Sequence, residues 1–167
     1  MPAANQTHTA NWNPITYDIL FDANSGTGTI ANQTLTYDSS ATLTPNSFTR
    51  TGWTFTGWNT ESDGSGISYT NEAIVENLTT TNNDTITLYA QWDQDIYTVQ
   101  FLDHDGTNLD TQIISSGDDA TAPTDPTRTG YTFTGWDPSD LTNITADTDF
   151  TAQYDIIILP PTPPTST

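Results

Sequence analysis

The chain has 167 residues, of which 33% are hydrophobic, and 21 acidic residues against two arginines give it a formal charge of −19. That charge excludes nucleic acid as a partner, since binding it requires a basic face that displaces counterions, and it argues equally against direct contact with an anionic membrane. Cysteine and lysine are both absent, which removes disulfides, thiolate metal sites and lysine-derived isopeptide crosslinks.

Threonine, asparagine and an 11% share of aromatics replace the missing aliphatics and helix formers. β-branched and aromatic side chains pack well on a pleated surface, and no sustained 3.6-residue apolar period runs through the chain. The expectation is a β-dominated protein with small α content at most. No stretch of about 18 apolar residues reads as a membrane span. Met1-Pro2-Ala3-Ala4-Asn5 has neither the charged nor the apolar region of a signal peptide, so an export signal is expected elsewhere in a longer parent.

Residues 1–14 read as a tail or linker in which Trp12 is a candidate interface residue. The first strand is expected at Tyr17–Asp22, with Tyr17, Ile19 and Phe21 at period two. A turn at Asn24-Ser25-Gly26-Thr27-Gly28 leads to a second strand at Ile30–Tyr37. A polar crossover containing Pro45 comes next, with room for a short helical turn. The third strand carries Arg50-Thr51-Gly52-Trp53-Thr54-Phe55-Thr56-Gly57-Trp58, and the last ends at Leu88-Tyr89-Ala90-Gln91-Trp92. The polar stretch between Asn59 and Asn83 reads as a loop or a short extra hairpin.

This pattern then recurs. Residues 128–136 read Arg-Thr-Gly-Tyr-Thr-Phe-Thr-Gly-Trp, identical to 50–58 at eight of nine positions. Tyr97-Thr98-Val99-Gln100-Phe101 answers Tyr17–Phe21, and Phe150-Thr151-Ala152-Gln153-Tyr154 answers Leu88–Trp92. Such self-similarity is the signature of a repeat architecture. Two tandem modules of about four strands each are expected, over 15–94 and 95–156, the second without the polar insert. Residues 157–167 read as a strand end and a Pro/Thr-rich linker. Alternation sets Tyr17, Ile19 and Phe21 on one face with Ile86, Leu88, Ala90 and Trp92. Tyr97, Val99 and Phe101 meet Phe150, Ala152 and Tyr154 in the same way.

The Tyr-x-Ile/Val-x-Phe strand, the Arg-Thr-Gly-aromatic-Thr-Phe-Thr-Gly-Trp core and the closing Ala-Gln-Trp/Tyr strand resemble the Listeria–Bacteroides repeat. This family of repeats, the B repeat of internalin B among them, is found in large bacterial surface proteins. The resemblance covers both modules and implies a β-grasp-like, ubiquitin-like sheet, secretion, and service as repeat units of adhesins or surface stalks. It carries no catalytic residues. The first module departs from the pattern in placing Pro45 five residues before Arg50 and in having Trp53 where tyrosine is usual.

Candidate chemistry is sparse. His8 and His104 have no nucleophile motif beside them and read as solvated. Asp103, Asp105 and Asp110 superficially resemble a calcium loop, but the bidentate glutamate about seven residues further on is missing, and Asp105-Gly106 is itself a hairpin turn. Turn chemistry is the simpler reading there, and no metal or cofactor is expected. Asn-x-Thr sequons stand at Asn5, Asn32, Asn77, Asn83 and Asn143, accidental more often than not in so threonine-rich a chain.

The positions shared by the two modules, Arg50, Trp53, Phe55 and Trp58 with Arg128, Tyr131, Phe133 and Trp136, read as structural. Each arginine, one of only two cations, is expected to bond a carboxylate or backbone carbonyl of its own module. Ile156, Ile157, Ile158 and Leu159, ahead of Pro160, form an apolar run that should be paired in a sheet, in its own module or on a neighbour. The functional expectation is a non-catalytic stalk, spacer or adhesin segment of a secreted or cell-surface bacterial protein. Its expected partners are other modules, copies of itself, or a host protein or glycan. A self-assembling extracellular fibre joined by strand addition and a carbohydrate-binding module are the alternatives.

Overall fold

Strict alternation in Thr16–Asp22 (β1) turns Tyr17, Ile19 and Phe21 to one side, and all three are buried in the computed structural model, which describes residues 11–160. Two compact units correspond to the two repeats, dividing after Asp93.

In the first unit β1 is succeeded by β2 (Gln33–Thr36), β3 (Ala41–Thr42), β4 (Trp53–Asn59), β5 (Ser68–Tyr69), β6 (Ile74–Val75) and β7 (Asp84–Gln94). The main sheet has the order β2-β1-β7-β4-β5, and β3 pairs with β6 apart from it. β1 runs antiparallel to β2 and parallel to β7, with Ile19 opposite Ile86 and Phe21 opposite Leu88. The first and last strands of the module are thus neighbours in the middle of the sheet.

The second unit repeats this with β8 (Ile96–Leu102), β9 (Asn108–Ser115), β10 (Tyr131–Asp137) and β11 (Thr148–Ile156) in the order β10-β11-β8-β9. β8 and β11 are the parallel pair, with Phe150 opposite Phe101. This is the β-dominated fold that the repeat implied, and the described residues contain no helix. Where a helical turn had room to form, extended crossovers cover the sheet instead. Leu43 and Phe48 do so in the first unit, and Ala120 in the second, with Ile144 added from the connection ahead of β11; all are buried. The insert is not a hairpin on itself. β5 extends the edge of the main sheet by pairing with β4, while β6 pairs back to β3.

One backbone device explains why Phe and Trp three residues apart share a face. Between Phe133 and Gly135 the pairing of β10 with β11 slips by a residue, so that Phe133 lies opposite Tyr154 and Trp136 opposite Ala152. Such a bulge carries an extra residue and re-aims the side chains beyond it. Gly135 sits there at φ 140° and its counterpart Gly57 at φ 151°, a region that side chains rarely adopt.

The two glycines differ in their surroundings. A Cβ on Gly57 would stand 2.8 Å from the carbonyl oxygen of Tyr69 in β5, whereas one on Gly135 would meet nothing within 4 Å. Gly57→Ala is therefore expected to cost about 3 kcal/mol or more, from strain plus the clash, and Gly135→Ala about 1–2 kcal/mol from strain alone. Chemical denaturation of the two single variants checks the order.

Candidate functional site

The shared residues of the repeat converge on one aromatic cluster per unit. In the first, Trp58 is fully buried, with ring centroids 4.9 Å from Phe21, 5.0 Å from Phe55 and 6.1 Å from Phe48. Phe55 in turn meets Trp92 edge-on at 5.6 Å. In the second, Trp136 lies 4.9 Å from Phe101 and 5.4 Å from Phe133, and Phe133 lies 5.8 Å from Tyr154. These tilted and edge-to-face contacts are the favoured geometries for aromatic pairs.

Arg50 and Arg128 do not show the carboxylate or carbonyl partners expected of them. The contact each guanidinium shows is with a ring: Arg50 lies 3.6 Å above Trp53, and Arg128 lies 3.8 Å above Tyr131 and 5.7 Å from Tyr154. A residue three positions on supplies the ring because Trp53 and Tyr131 each close a tight turn with a backbone bond to the carbonyl of their own arginine. Such half-exposed stacks contribute about 0.5–1 kcal/mol each.

A second shared device has no sequence signal beyond the aromatic at the closing position. The indole Nε1 of Trp92 donates to the carbonyl of Ala23 at 3.0 Å, and the hydroxyl of Tyr154 donates to Asp103 Oδ1 at 2.8 Å. Ala23 and Asp103 occupy the same place, just after the first strand of their modules. In both units the ring that ends the last strand is thus tied to the end of the first.

This tie accounts for the acidic turn. Asp103 Oδ1 also accepts from the backbone N–H of His104 at 2.8 Å and contacts His104 Nδ1 at 3.0 Å. Asp105 accepts from the backbone of Thr107 at 3.0 Å in an ordinary turn. Ligand-capable atoms of Asp103, His104 and Asp105 lie within 4.8 Å of one another. Asp110 is not in this group; its carboxylate accepts from Gln112 on β9. The side-chain bond from His104, then that from Tyr154, hold Asp103 below its ordinary value at about 2. Burial first, and the bond to Asp103 second, push Tyr154 up to about 12.

A depressed carboxylate stabilises the fold above its unfolded pKa near 3.8 and loses that contribution as the pH falls toward 2. A raised phenol stabilises it below about 10 and loses that contribution as the pH rises toward 12. Tyr154→Phe is expected to abolish the alkaline loss in the second unit and to shrink the acid one, which His104 still sustains. Melting temperatures of both forms from pH 2 to 12 check this.

The remaining candidates lie apart. Trp12 is 86% exposed. It stands five residues before Tyr17, as Trp92 stands five before Tyr97, with Asn11 where Gln91 precedes Trp92. By spacing it holds the position of a closing ring. The run at 156–159 is only partly paired. Ile156 ends β11 opposite Tyr131 and the N–H of Ile157 donates to Gly130, but Ile158 and Leu159 lie beyond the strand, 85% and 79% exposed. His8 falls outside the described residues.

A shallow pocket of about 200 Å³ opens beside Gly57, lined by residues that include Trp58, Tyr69 and Gln91. It is below the roughly 300 Å³ at which small-molecule sites begin. Asn59, buried next to it, is a key residue that no sequence pattern marks. Its amide donates to Gly64, Gly66 and Ser68 and accepts from the N–H groups of Glu61 and Gly66, holding the loop that delivers β5.

Comparison with known proteins identifies the repeat. Residues 17–91 and 97–159 each match the Listeria-Bacteroides repeat domain. Over 146 residues, 84% of this chain, it is 35% identical to a protein named as a Gly-rich membrane protein of Evansella cellulosilytica, and spans 16% of that protein's length. It is 37% identical over 93 residues to internalin H of Listeria monocytogenes, covering 55% of this chain and 15% of internalin H. Among solved structures it matches domains 3–4 of the streptococcal high identity repeats in tandem from a cell surface protein. That match has 18% identity, a TM-score of 0.30, and covers 86% of this chain and 98% of the other. The chain belongs to the Listeria-Bacteroides repeat domain family and carries two copies of the repeat.

Proposed function

We propose that the chain is a non-catalytic spacer segment of a bacterial secreted or cell-surface protein, two modules in series that hold other parts of that protein at a distance. The observation that carries this reading is where the repeat invests its shared residues. Arg50, Trp53, Phe55 and Trp58, and their counterparts Arg128, Tyr131, Phe133 and Trp136, build the cores and the turn caps, and Trp58, which also lines the hollow beside Tyr69 and Gln91, meets no carboxylate or histidine there. A repeated module that preserves its own packing contributes length and solubility.

The relatives favour such a setting. Two are named as an internalin and a membrane protein, and the chain spans about a sixth of each. The charge of −19 suits a solvated, self-repelling segment. An adhesive role would add a binding surface to the same scaffold. The exposed Ile158 and Leu159 favour strand addition between copies as a second reading.

A length series tests the spacer reading. A surface-anchored reporter carrying none, one, two or four modules should become steadily more accessible to a bead-bound antibody. Accessibility that does not change with module number would reject it.

A further inference from the structure

From the strand order we infer that each module is a mechanical clamp, built to resist tension applied along the chain. This inference rests on the spacer reading, because only a segment spanning two anchors is pulled from its ends.

The chain enters the first module at Thr16, at the start of β1, and leaves at Gln94, at the end of β7. These two strands are parallel neighbours, so their outer ends lie at opposite ends of the pair. Tension along the chain slides β1 against β7 and loads the whole ladder together, from Tyr17 opposite Asp84 to Asp22 opposite Tyr89. An antiparallel pair pulled from one end would open its bonds one after another. The second module repeats the geometry with β8 and β11. A single residue, Asp95, separates the end of β7 from the start of β8, so tension passes from one clamp directly into the next.

Three further features fit this use. Both clamp strands are interior to their sheets, flanked by β2 and β4 in the first unit and by β9 and β10 in the second, which screens their bonds from water. Their inward side chains, Tyr17, Ile19, Phe21, Leu88 and Ala90, are fully packed. Braces also stand where the load enters and leaves. Asn83 donates to the carbonyl of Thr16 at 2.7 Å and Asn82 accepts from its N–H at 3.1 Å, while Trp92 ties the far end to Ala23. In the second unit Asp147 accepts from Thr98 at 2.7 Å and Tyr154 ties the far end to Asp103.

The clamps are unequal. The first has six registered pairs, Tyr17 to Asp22, and the second four, Val99 to Leu102. Under rising tension the second module should therefore yield first.

Single-molecule pulling of the full chain by its two ends tests this. Two events are expected. The weaker should release the 61 residues of Ile96–Ile156, a gross gain of roughly 21 nm, and the stronger the 79 residues of Thr16–Gln94, roughly 28 nm. Handles at Ile96→Cys and Ser115→Cys, which face each other across β8 and β9, peel the second unit from one end; Thr98→Cys with Ile113→Cys is the substitute pair. The force needed through the termini should exceed the peeling force about threefold. Equal forces in the two geometries, or release of the longer module first, would overturn the clamp. The spacer reading would be untouched by either result, since it stands or falls on the length series.

Discussion

Trp58→Ala is expected to unfold the first module and leave the second folded. Trp58 has no exposed surface and sits among Phe21, Phe48 and Phe55. Truncating so large a buried ring costs about 3–5 kcal/mol. A module of about 80 residues has a total stability on the order of 4–12 kcal/mol, so this one change removes much or all of it. Calorimetry should show the transition of the first unit lost and that of the second in place, and Trp136→Ala should show the reverse. Trp58→Phe should be far milder. The indole Nε1 of Trp58 is buried with no hydrogen-bond partner among the described residues, and removing an orphaned donor offsets part of the lost packing.

The second large effect is expected at Asn59. Replacing it with alanine strands the N–H groups of Glu61 and Gly66, and leaves the carbonyl of Gly64 without its donor at 3.0 Å. Each buried polar group left unsatisfied costs about 1–3 kcal/mol, so a loss of about 2–4 kcal/mol is expected after partial rehydration. The damage should be local. Hydrogen exchange at Ser68 and Tyr69 should accelerate strongly while Ile19 and Leu88 keep their protection. Uniform acceleration across the sheet would show instead that the loop is integral to the core.

These two residues mark the limit of what the sequence discloses. Trp58 is legible because a nine-residue match sets it beside Trp136, and period two places Tyr17, Ile19 and Phe21 with Leu88 and Ala90. Asn59 is not, because its role depends on where Gly64, Gly66 and Ser68 return to meet it, and its counterpart Asp137 is exposed. The arginines read as structural with a carboxylate or carbonyl partner, and the contact each shows is with the ring of Trp53 or Tyr131. A cation three residues from an aromatic points to a carboxylate or a ring equally well until the turn geometry is known. The crossover has the prolines and polar residues of either an extended path or a helical turn, and burial of Leu43 and Phe48 decides for the extended one. Asp110 looks like a companion of Asp103 by spacing alone. The β-strand carries its carboxylate to Gln112, while Tyr154, fifty-one residues away, comes to Asp103.

The most direct test of the spacer account exchanges the chain, within a full-length surface protein that carries it, for an unrelated acidic repeat of equal length. Binding and display by the rest of that protein should be unchanged to within about twofold, because the account assigns this segment reach and solubility and no recognition. Loss of binding with surface display intact would contradict it and assign a recognition surface to the modules themselves.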